Sequence, residues 1–206
     1  MGAGQWVRAN RTAVGISTAV LVVVAGLVLL SLRRDPPITF APTEPRPRPV
    51  GDALVGPARV TVDATDPDRW VFFDFSRGAV VDRPDPAGWD LAFKRFNVAV
   101  NGGAGLAGGG ARALDASTLD SVTTVPAEGY TGSDARRDST SPALERWYDY
   151  GFTSHLLTAK RRVYAIRTAD GRYAALRFLS YYCPGARPGC VTFEYVYAGN
   201  GSRRVR

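Results

Sequence analysis

Few side chains in this sequence can hold a metal ion or carry out acid–base chemistry. Of the 206 residues only one is a histidine, His155, and the only methionine is Met1. Structural zinc sites use four protein ligands, so a single histidine rules out any site built on two of them. Ser154 stands next to His155, but adjacency alone does not make a nucleophile–base pair. No pair of carboxylates stands out from an ordinary charged surface, and the sequence therefore argues against an enzyme.

The two cysteines form the second chemical feature. Cys183 and Cys190 are the only cysteines in the chain, and they enclose the six residues PGARPG. Sequence typical of strands lies on both sides, so the pair is placed to clip a hairpin loop. Disulfides persist in oxidising compartments, which indicates a domain outside the cytoplasm. Two unpaired thiols are the alternative.

Aromatic side chains are the third feature. The chain has 22 Trp, Tyr and Phe residues. They concentrate in two places, one at Trp147, Tyr148, Tyr150 and Phe152 and the other at Tyr181 and Tyr182. Two interpretations stay open, because such side chains either pack a core or hold a flat apolar ligand between their faces.

The N-terminal part of the chain predicts a membrane segment. Residues 13–32 contain no charge, and 20 residues span about 30 Å as a helix, the thickness of the hydrocarbon core. A cleaved signal peptide is the alternative, but it needs a shorter apolar core and a small-residue cleavage site, and this segment ends in SLRRDP. We expect a short tail (1–12) and an uncleaved transmembrane helix (13–32), with the C-terminal part outside the cytoplasm.

A proline-rich stretch follows the predicted helix. Six prolines fall within residues 36–49. This composition favours extended polyproline II, which predicts a semi-rigid spacer over residues 33–51. A ligand for a proline-binding module is the alternative. The remaining residues, 52–206, have the length of one domain.

The charge of the chain gives no reason to expect nucleic-acid binding. Residues 1–50 hold six Arg against two acidic residues, and the rest holds 20 Lys and Arg against 17 acidic residues. The net charges are therefore +4 and +3, and the second value is ordinary for a soluble domain.

Alternating apolar residues predict an all-β domain. The early strands are ARVTVDA (58–64) and RWVFFDFS (69–76), and a three-stranded antiparallel meander follows over 162–168, 173–182 and 191–197. Asp170-Gly171 between two β-prone runs predicts a type I′ hairpin turn. We expect antiparallel sheets with long loops and at most one or two short helices, one of them within 142–157.

The stretch WDLAFKRFNVAVNGG (89–103) changes the phase of its alternation. Trp89, Leu91 and Phe93 share one parity, and Phe96 and Val98 take the other. A single strand that does this needs a β-bulge or burial on both faces. Two long loops, 102–113 and 126–142, are predicted to be irregular, the first because it is glycine-rich, and a pocket is expected there.

Several motifs together resemble the HmuY-like family. Trp89-Asp90-Leu91-Ala92-Phe93 followed by Asn101-Gly102-Gly103 is similar to the W-D-[IL]-A-F…N-G-G pattern of that family. The stretches 163–174, 179–182 and 191–195 continue the resemblance in the same order, and Trp70-Phe72-Phe73 is similar to the early aromatic strand. The resemblance covers about residues 58–198.

The resemblance implies a function in haem uptake. Relatives are exported, mostly β, and include proteins that take haem from host proteins and pass it to a membrane receptor. The best-known haem-binding relatives hold the iron through two histidines or two methionines, and this chain has neither pair. Its candidate ligand-binding residues are therefore His155 and the tyrosines Tyr148, Tyr150, Tyr181 and Tyr182, since tyrosinate can bind ferric haem. The expected function is non-catalytic binding of haem or a similar apolar ligand, with haem or a haem-carrying protein as the partner. The alternative is a structural or protein-interaction domain without haem.

Overall fold

A computed structural model describes residues 10–32, 36–82, 85–134 and 139–206. The chain divides into two compact units, one with the N-terminal helix and residues 151–155, the other with residues 37–150 and 156–206. Helix α1 (Arg11–Leu32) is long and apolar enough to cross a membrane. Most of the predicted tail (1–12), and the three residues after α1, lie outside the described residues.

The larger unit contains an antiparallel five-stranded sheet. Its strands run in the order β1-β11-β10-β9-β6. They are β1 (Leu54–Asp63), β6 (Gly110–Ala113), β9 (Tyr164–Arg167), β10 (Tyr173–Cys183) and β11 (Arg187–Ala198). Because β9, β10 and β11 pair in sequence order, the predicted meander is confirmed.

A four-stranded antiparallel sheet packs against the first. Its order is β3-β2-β4-β5, with β2 (Val71–Asp74), β3 (Ala79–Val81), β4 (Leu91–Lys94) and β5 (Asn97–Val100). The two sheets share one aromatic core: the ring of Phe193 on β11 lies 5.2 Å from that of Phe73 and 5.5 Å from that of Phe93. The all-β prediction is therefore correct, and the described 3-10 segments are single short turns at Leu119–Ser121 and Pro184–Ala186.

The phase change in residues 89–103 has a simpler cause than a bulge. The stretch is not one strand but the hairpin β4–β5, in which Leu91 pairs with Val100 and Phe93 with Val98. A two-residue turn pairs odd with even positions, so the buried face changes parity across it. All four of these side chains are fully buried on the core face.

Two further local predictions are wrong. The segment expected to hold a short helix (142–157) contains turns and the hairpin β7 (Tyr148–Tyr150) and β8 (Leu157–Ala159). The β9–β10 turn is not type I′, because only Gly171 has positive φ (84°). The Thr168 carbonyl accepts a hydrogen bond from the Gly171 amide, and the Thr168 amide donates to the Arg172 carbonyl. These bonds close a three-residue loop with glycine in the left-handed position.

The glycine-rich stretch is more ordered than its composition suggests. Its last residues form β6, which pairs with β9. The preceding glycines pack backbone against backbone, since a Cβ on Gly102 would lie 1.7 Å from the Gly109 carbonyl oxygen. Gly132, in the loop after β6, packs on the same stretch, and a Cβ there would lie 2.5 Å from the Gly102 carbonyl carbon. Glycine is needed here for close approach and not for flexibility.

The proline-rich segment lies along the larger unit. We call residues 37–50 the strap. Phe40 donates to the Tyr182 carbonyl (3.0 Å), Thr43 to the Thr61 carbonyl (2.9 Å) and Val50 to the Ser76 carbonyl (2.9 Å). The strap is hydrogen-bonded to three separate parts of the unit and belongs to that unit.

Candidate functional site

The tip of the β4–β5 hairpin presents Arg95 and Phe96. Arg95 has positive φ (55°), and its amide donates to the Ala64 carbonyl at 3.1 Å. Its guanidinium donates to the carbonyl oxygens of Thr65 (2.9 Å) and Pro188 (3.2 Å). These bonds join the tip to the end of β1 and to the β10–β11 hairpin, so the position of Phe96 is fixed from both sides.

An aromatic cluster surrounds Phe96. We give this name to Phe96, Trp147, Tyr148 and Tyr181. The Phe96 ring meets Tyr148 at 5.6 Å and Tyr181 at 6.2 Å, both edge to face. Trp147 donates from Nε1 to the Phe96 carbonyl (2.9 Å) and packs on Phe178 with ring centroids 4.4 Å apart. Trp147 is fully buried, whereas Phe96 is 40% exposed, so the cluster has a rigid base and an accessible upper ring.

A cation lies at the edge of this cluster. The Arg95 guanidinium carbon is 5.9 Å from the centroid of the Tyr181 ring, a cation–π distance. The surface therefore combines an apolar ring with a nearby positive charge, which suits a flat apolar ligand that carries an anionic group.

The tyrosines predicted as iron ligands differ in access. Tyr181 and Tyr182 are each 4% exposed, and the Tyr182 hydroxyl accepts a hydrogen bond from the Leu157 amide at 2.8 Å. Burial raises the pKa of Tyr181, although Arg95 partly opposes this, and burial also raises the pKa of Tyr148. Burial therefore favours the neutral phenol over the phenolate at Tyr148 and Tyr181.

Tyr150 and His155 are the exposed candidates. Tyr150 is 54% exposed and shares a strand face with Tyr148, two residues earlier on β7. His155 belongs to the smaller unit, where its backbone has positive φ (55°) and its amide donates to the Gly151 carbonyl at 2.7 Å. The structure brings Tyr148, Tyr181 and Tyr182 together, and it places His155 in the other unit.

The cysteine pair closes the β10–β11 hairpin. The sulfurs of Cys183 and Cys190 lie 2.08 Å apart, at bonding distance, and the Cα atoms are 4.9 Å apart. The hairpin tip is next to the aromatic cluster, because Arg95 donates to Pro188 within it.

Two motif residues, Asp90 and Asn101, connect elements instead of facing a ligand. The Asp90 carboxylate accepts from the amides of Phe75 (2.9 Å) and Ala169 (2.8 Å), which joins the two sheets. Asn101 is fully buried and donates from its side-chain amide to the carbonyls of Pro86 (2.7 Å) and Trp89 (2.8 Å). The W-D…N-G-G pattern thus builds the scaffold at the end of the β4–β5 hairpin opposite its turn.

A separate groove lies on the four-stranded sheet. It encloses about 670 Å³ and contains the aromatic rings of Trp70 and Phe72, with the Lys94 ammonium 5.0 Å from the Trp70 ring centroid. This volume is within the range of small-molecule sites. None of the five residues predicted to bind ligand lines this groove.

Sequence reasoning missed Phe96 as a site residue. The available signal was the phase change itself, since an aromatic residue at the point where the alternation breaks is at a turn and therefore at the surface. Among the described residues, no group of three or more His, Cys, Asp or Glu is placed to hold a metal ion.

Comparison with known families gives one match. The family model described as HmuY protein matches residues 66–195, which is more than half of the chain. That range contains both β4–β5 and the β10–β11 hairpin as far as Tyr195. No curated protein matches the chain.

Solved structures from three bacteria share the fold. The apo HmuY analogue of Tannerella forsythia has 19% identity and a TM-score of 0.56, covering 68% of this chain and 95% of its own. A protein from Bacteroides vulgatus described as HmuY-like and haem-binding has 22% identity and a TM-score of 0.56, covering 72% and 97%. A protein from Bacteroides fragilis described as a lipoprotein has 23% identity and a TM-score of 0.53, covering 68% and 88%. At these identities the likeness shows the fold alone.

Proposed function

Because the chain belongs to the HmuY family, we propose that its β unit is a non-catalytic binding domain for haem or a similar flat apolar ligand. The domain is held outside the cytoplasm by α1, which acts as a membrane anchor. The bonded cysteines support an oxidising compartment. The Bacteroides vulgatus protein described as haem-binding supports the ligand class.

The observation that carries this proposal is the half-exposed ring of Phe96. The ring leaves apolar surface in water, which a flat apolar ligand or a partner would cover. Here the ring is held rigidly, and the Arg95 guanidinium beside it is placed to pair with a carboxylate. A bound haem would supply a flat apolar ring with propionate groups and an iron atom.

The residues fit the porphyrin ring better than they fit the iron. Phe96 and Tyr148 would contact the ring, and Arg95 would pair with a propionate. Tyr181 and Tyr182 are buried, which leaves His155 and Tyr150 as the exposed candidates for an iron ligand. Ligation by two histidines or two methionines is impossible within one chain of this sequence.

The second candidate function is a protein-interaction domain that keeps the fold without haem. The burial of Tyr181 and Tyr182 favours it, because two of the candidate iron ligands then serve the core. A haem-carrying protein or a membrane receptor would be the partner of the domain with or without haem. If the domain binds haem, it would serve iron acquisition.

Titration with haemin tests the proposal. We expect the detergent-solubilised full chain to give a saturable Soret shift at one equivalent. Removing one aromatic contact costs about 0.5–1.5 kcal/mol, so Phe96→Ala should weaken binding by roughly 2- to 10-fold. Leu54→Ala is the matched control, because Leu54 is 50% exposed and lies at the start of β1, away from the cluster.

Two further variants locate the ligand. A loss of affinity in Trp70→Ala with none in Phe96→Ala would move the site to the groove on the four-stranded sheet. An altered spin state in His155→Ala would assign the iron ligand, whereas an unchanged spectrum would leave His155 a structural residue. If the wild-type chain gives no saturable shift, the haem proposal is wrong and the interaction domain is the better description.

A further inference from the structure

The strap begins at the disulfide-closed end of the domain. The Ser180 hydroxyl donates to the Ile38 carbonyl, and the Phe40 amide donates to the Tyr182 carbonyl at 3.0 Å. Both partners lie within the last four residues of β10, next to the Cys183–Cys190 pair. The first hydrogen bonds between the strap and the rest of the β unit are therefore at the disulfide-closed end of the long strands.

The aromatic cluster is at the same end. Tyr181 lies between Ser180 and Tyr182, the two residues that bind the strap. Arg95 donates to Pro188 in the hairpin tip, so the β4–β5 turn also meets this end. The opposite end of the sheet holds Ala53 and the turn after β11, which are joined by a 2.9 Å hydrogen bond from Gly199 to the Ala53 carbonyl.

The length of chain between α1 and the strap limits how far the disulfide-closed end of the domain can lie from the end of α1. Helix α1 ends at Leu32, and Ile38 follows six residues later. Six residues span at most about 20 Å when fully extended. Strand β11 has 12 residues and is about 36 Å long, so the far end of the domain extends well beyond this tether.

The exposed side chains at this end suit an apolar boundary. Ile38 is 67% exposed, although it is anchored through its backbone. The tip PGARPG carries one charge, that of Arg187, and all but its last residue are exposed. The acidic residue Asp63 is opposite Cys190 in the β1–β11 register, so the net charge of this end does not favour a lipid surface, whereas the short tether and the exposed isoleucine do.

We propose that the disulfide-closed end of the domain lies against the lipid surface, with the aromatic cluster beside the membrane. This inference rests on the anchoring that is part of the proposed function, but not on haem binding. It names the lipid surface as the partner of this end, and it means that an apolar ligand reaches the cluster at the membrane boundary and not at the outer end of the domain.

Fluorescence quenching by labelled lipids tests the arrangement. The native cysteines are bonded to each other, so a single introduced cysteine takes a thiol-reactive fluorophore. Arg187→Cys places the label at the hairpin tip, and Ala53→Cys is the matched control at the opposite end, since both residues are exposed. The full chain is reconstituted into vesicles that contain lipids with a spin-labelled head group.

We expect the label at position 187 to lose most of its fluorescence and the label at position 53 to keep it. Inserting 20 Gly and Ser residues before Pro36 lengthens the tether by about 25 Å on average, and should restore the fluorescence of the tip. Equal quenching at both positions, stronger quenching at position 53, or no effect of the insertion would overturn the proposal.

A separate outcome would reject the anchor. If the chain is washed from the vesicles by high salt, α1 does not span the bilayer, and both the anchoring and this inference are wrong. The haemin titration would still decide whether the β unit binds its ligand, so the failures are distinguishable.

Discussion

Asp90 shows how a family motif acts through one buried carboxylate. Both of its oxygens accept backbone amides, one from the end of β2 and one from the β9–β10 turn. Burial raises the pKa of Asp90 from 3.8 to about 7, and the nearby carboxylates of Asp74 and Asp170 add to this, while the two amide hydrogen bonds oppose it. Asp90 joins the two sheets, but its negative charge at high pH lowers the stability of the folded state.

The first prediction concerns the effect of pH on stability. The folded state holds a proton on Asp90 more tightly than the unfolded chain does, so the stabilisation is complete below about pH 4 and is lost as the pH rises to about 7. About three pKa units correspond to a change of the order of 4 kcal/mol. We expect the free energy of unfolding of the wild type, measured in urea relative to Asp90→Asn, to fall over this range.

The control for this experiment is Asp115→Asn, which removes an exposed carboxylate. Its difference from the wild type should stay nearly constant with pH. If the curves for Asp90→Asn and the wild type run parallel from pH 4 to 8, Asp90 titrates normally and the argument from burial is wrong.

At the residue scale, the residue types that build the site were easier to predict from the sequence than the contacts between them. The sequence identified the cysteine pair, and it identified Tyr148, Tyr181 and Tyr182 as members of aromatic groups. It did not show that Phe96 lies between Tyr148 and Tyr181, because those contacts join positions about 50 and 85 residues away. It also did not separate buried from exposed tyrosines, since this depends on how β7 and β10 pack.

Glycine has different roles at two positions in the loops before and after β6. A Cβ on Gly132 would lie 2.5 Å from backbone atoms of Gly102 and Gly103, while one on Gly108 would meet nothing within 4 Å. Neither residue has positive φ, so conformational strain does not distinguish them. The difference between the two positions is purely one of space.

The second prediction follows from this difference. Gly132→Ala should destabilise the domain by roughly 1–3 kcal/mol, because backbone must move to admit the methyl group. Gly108→Ala, the matched control, should be neutral or slightly stabilising, since it restricts the unfolded chain. The measurement is urea unfolding of both variants, and equal effects would mean that the contact of Gly132 with Gly102 and Gly103 is loose enough to admit a methyl group.

The strap gives an element-scale prediction of its own. Thr61, Thr192 and Ser180 pair across three strands and are all buried although polar. The strap contacts two of them, since the Ser180 hydroxyl donates to Ile38 and the Thr61 amide donates to the Thr43 hydroxyl at 2.9 Å. Each such hydrogen bond contributes about 1 kcal/mol net, and the prolines reduce the entropy lost on ordering.

We therefore propose that the folded domain starts near residue 37, and we expect a chain of residues 37–206 to be more stable than one of residues 52–206. The difference in the free energy of unfolding should be of the order of 1–3 kcal/mol. Thr43→Ala in the longer chain should lose about 1 kcal/mol, and Thr39→Ala, which alters an exposed strap residue, should lose little. Equal stability of the two chains would return the segment to the role of a free spacer.

Elements were predictable where the pattern is local. The β9–β10–β11 meander follows from alternation and from one turn dipeptide, which is why it was predicted correctly. The β4–β5 hairpin was mistaken for a bulged strand, because its turn residues Arg95 and Phe96 lack Gly, Asn or Asp, and tertiary contacts hold the positive φ of Arg95. The docking of the strap has no local signal, since its partners are backbone groups of distant strands.

At the scale of the whole molecule, the parts of the chain have a consistent arrangement. An apolar helix comes first, a strap that starts at the disulfide-closed end comes next, and the β unit carries its accessible aromatic ring at that same end. The proposed function needs the helix to remain in the protein, because a cleaved signal peptide would release the domain. The fate of α1 is therefore the property of the whole molecule on which localisation depends.

The last prediction concerns that fate. With α1 retained and the β unit outside, a protease added to intact cells should release the β unit and leave a membrane-bound peptide that contains α1. The cut should fall before the strap, since backbone hydrogen bonds at Ile38, Phe40 and Val50 hold that segment on the domain and protect it. Mass spectrometry of the membrane fraction and of the released domain identifies both ends. A mature chain that begins at or after Asp35 in untreated cells would show that the segment is a signal peptide, and an intact chain after proteolysis of whole cells would place the β unit on the cytoplasmic side, against the expectation from the Cys183–Cys190 pair.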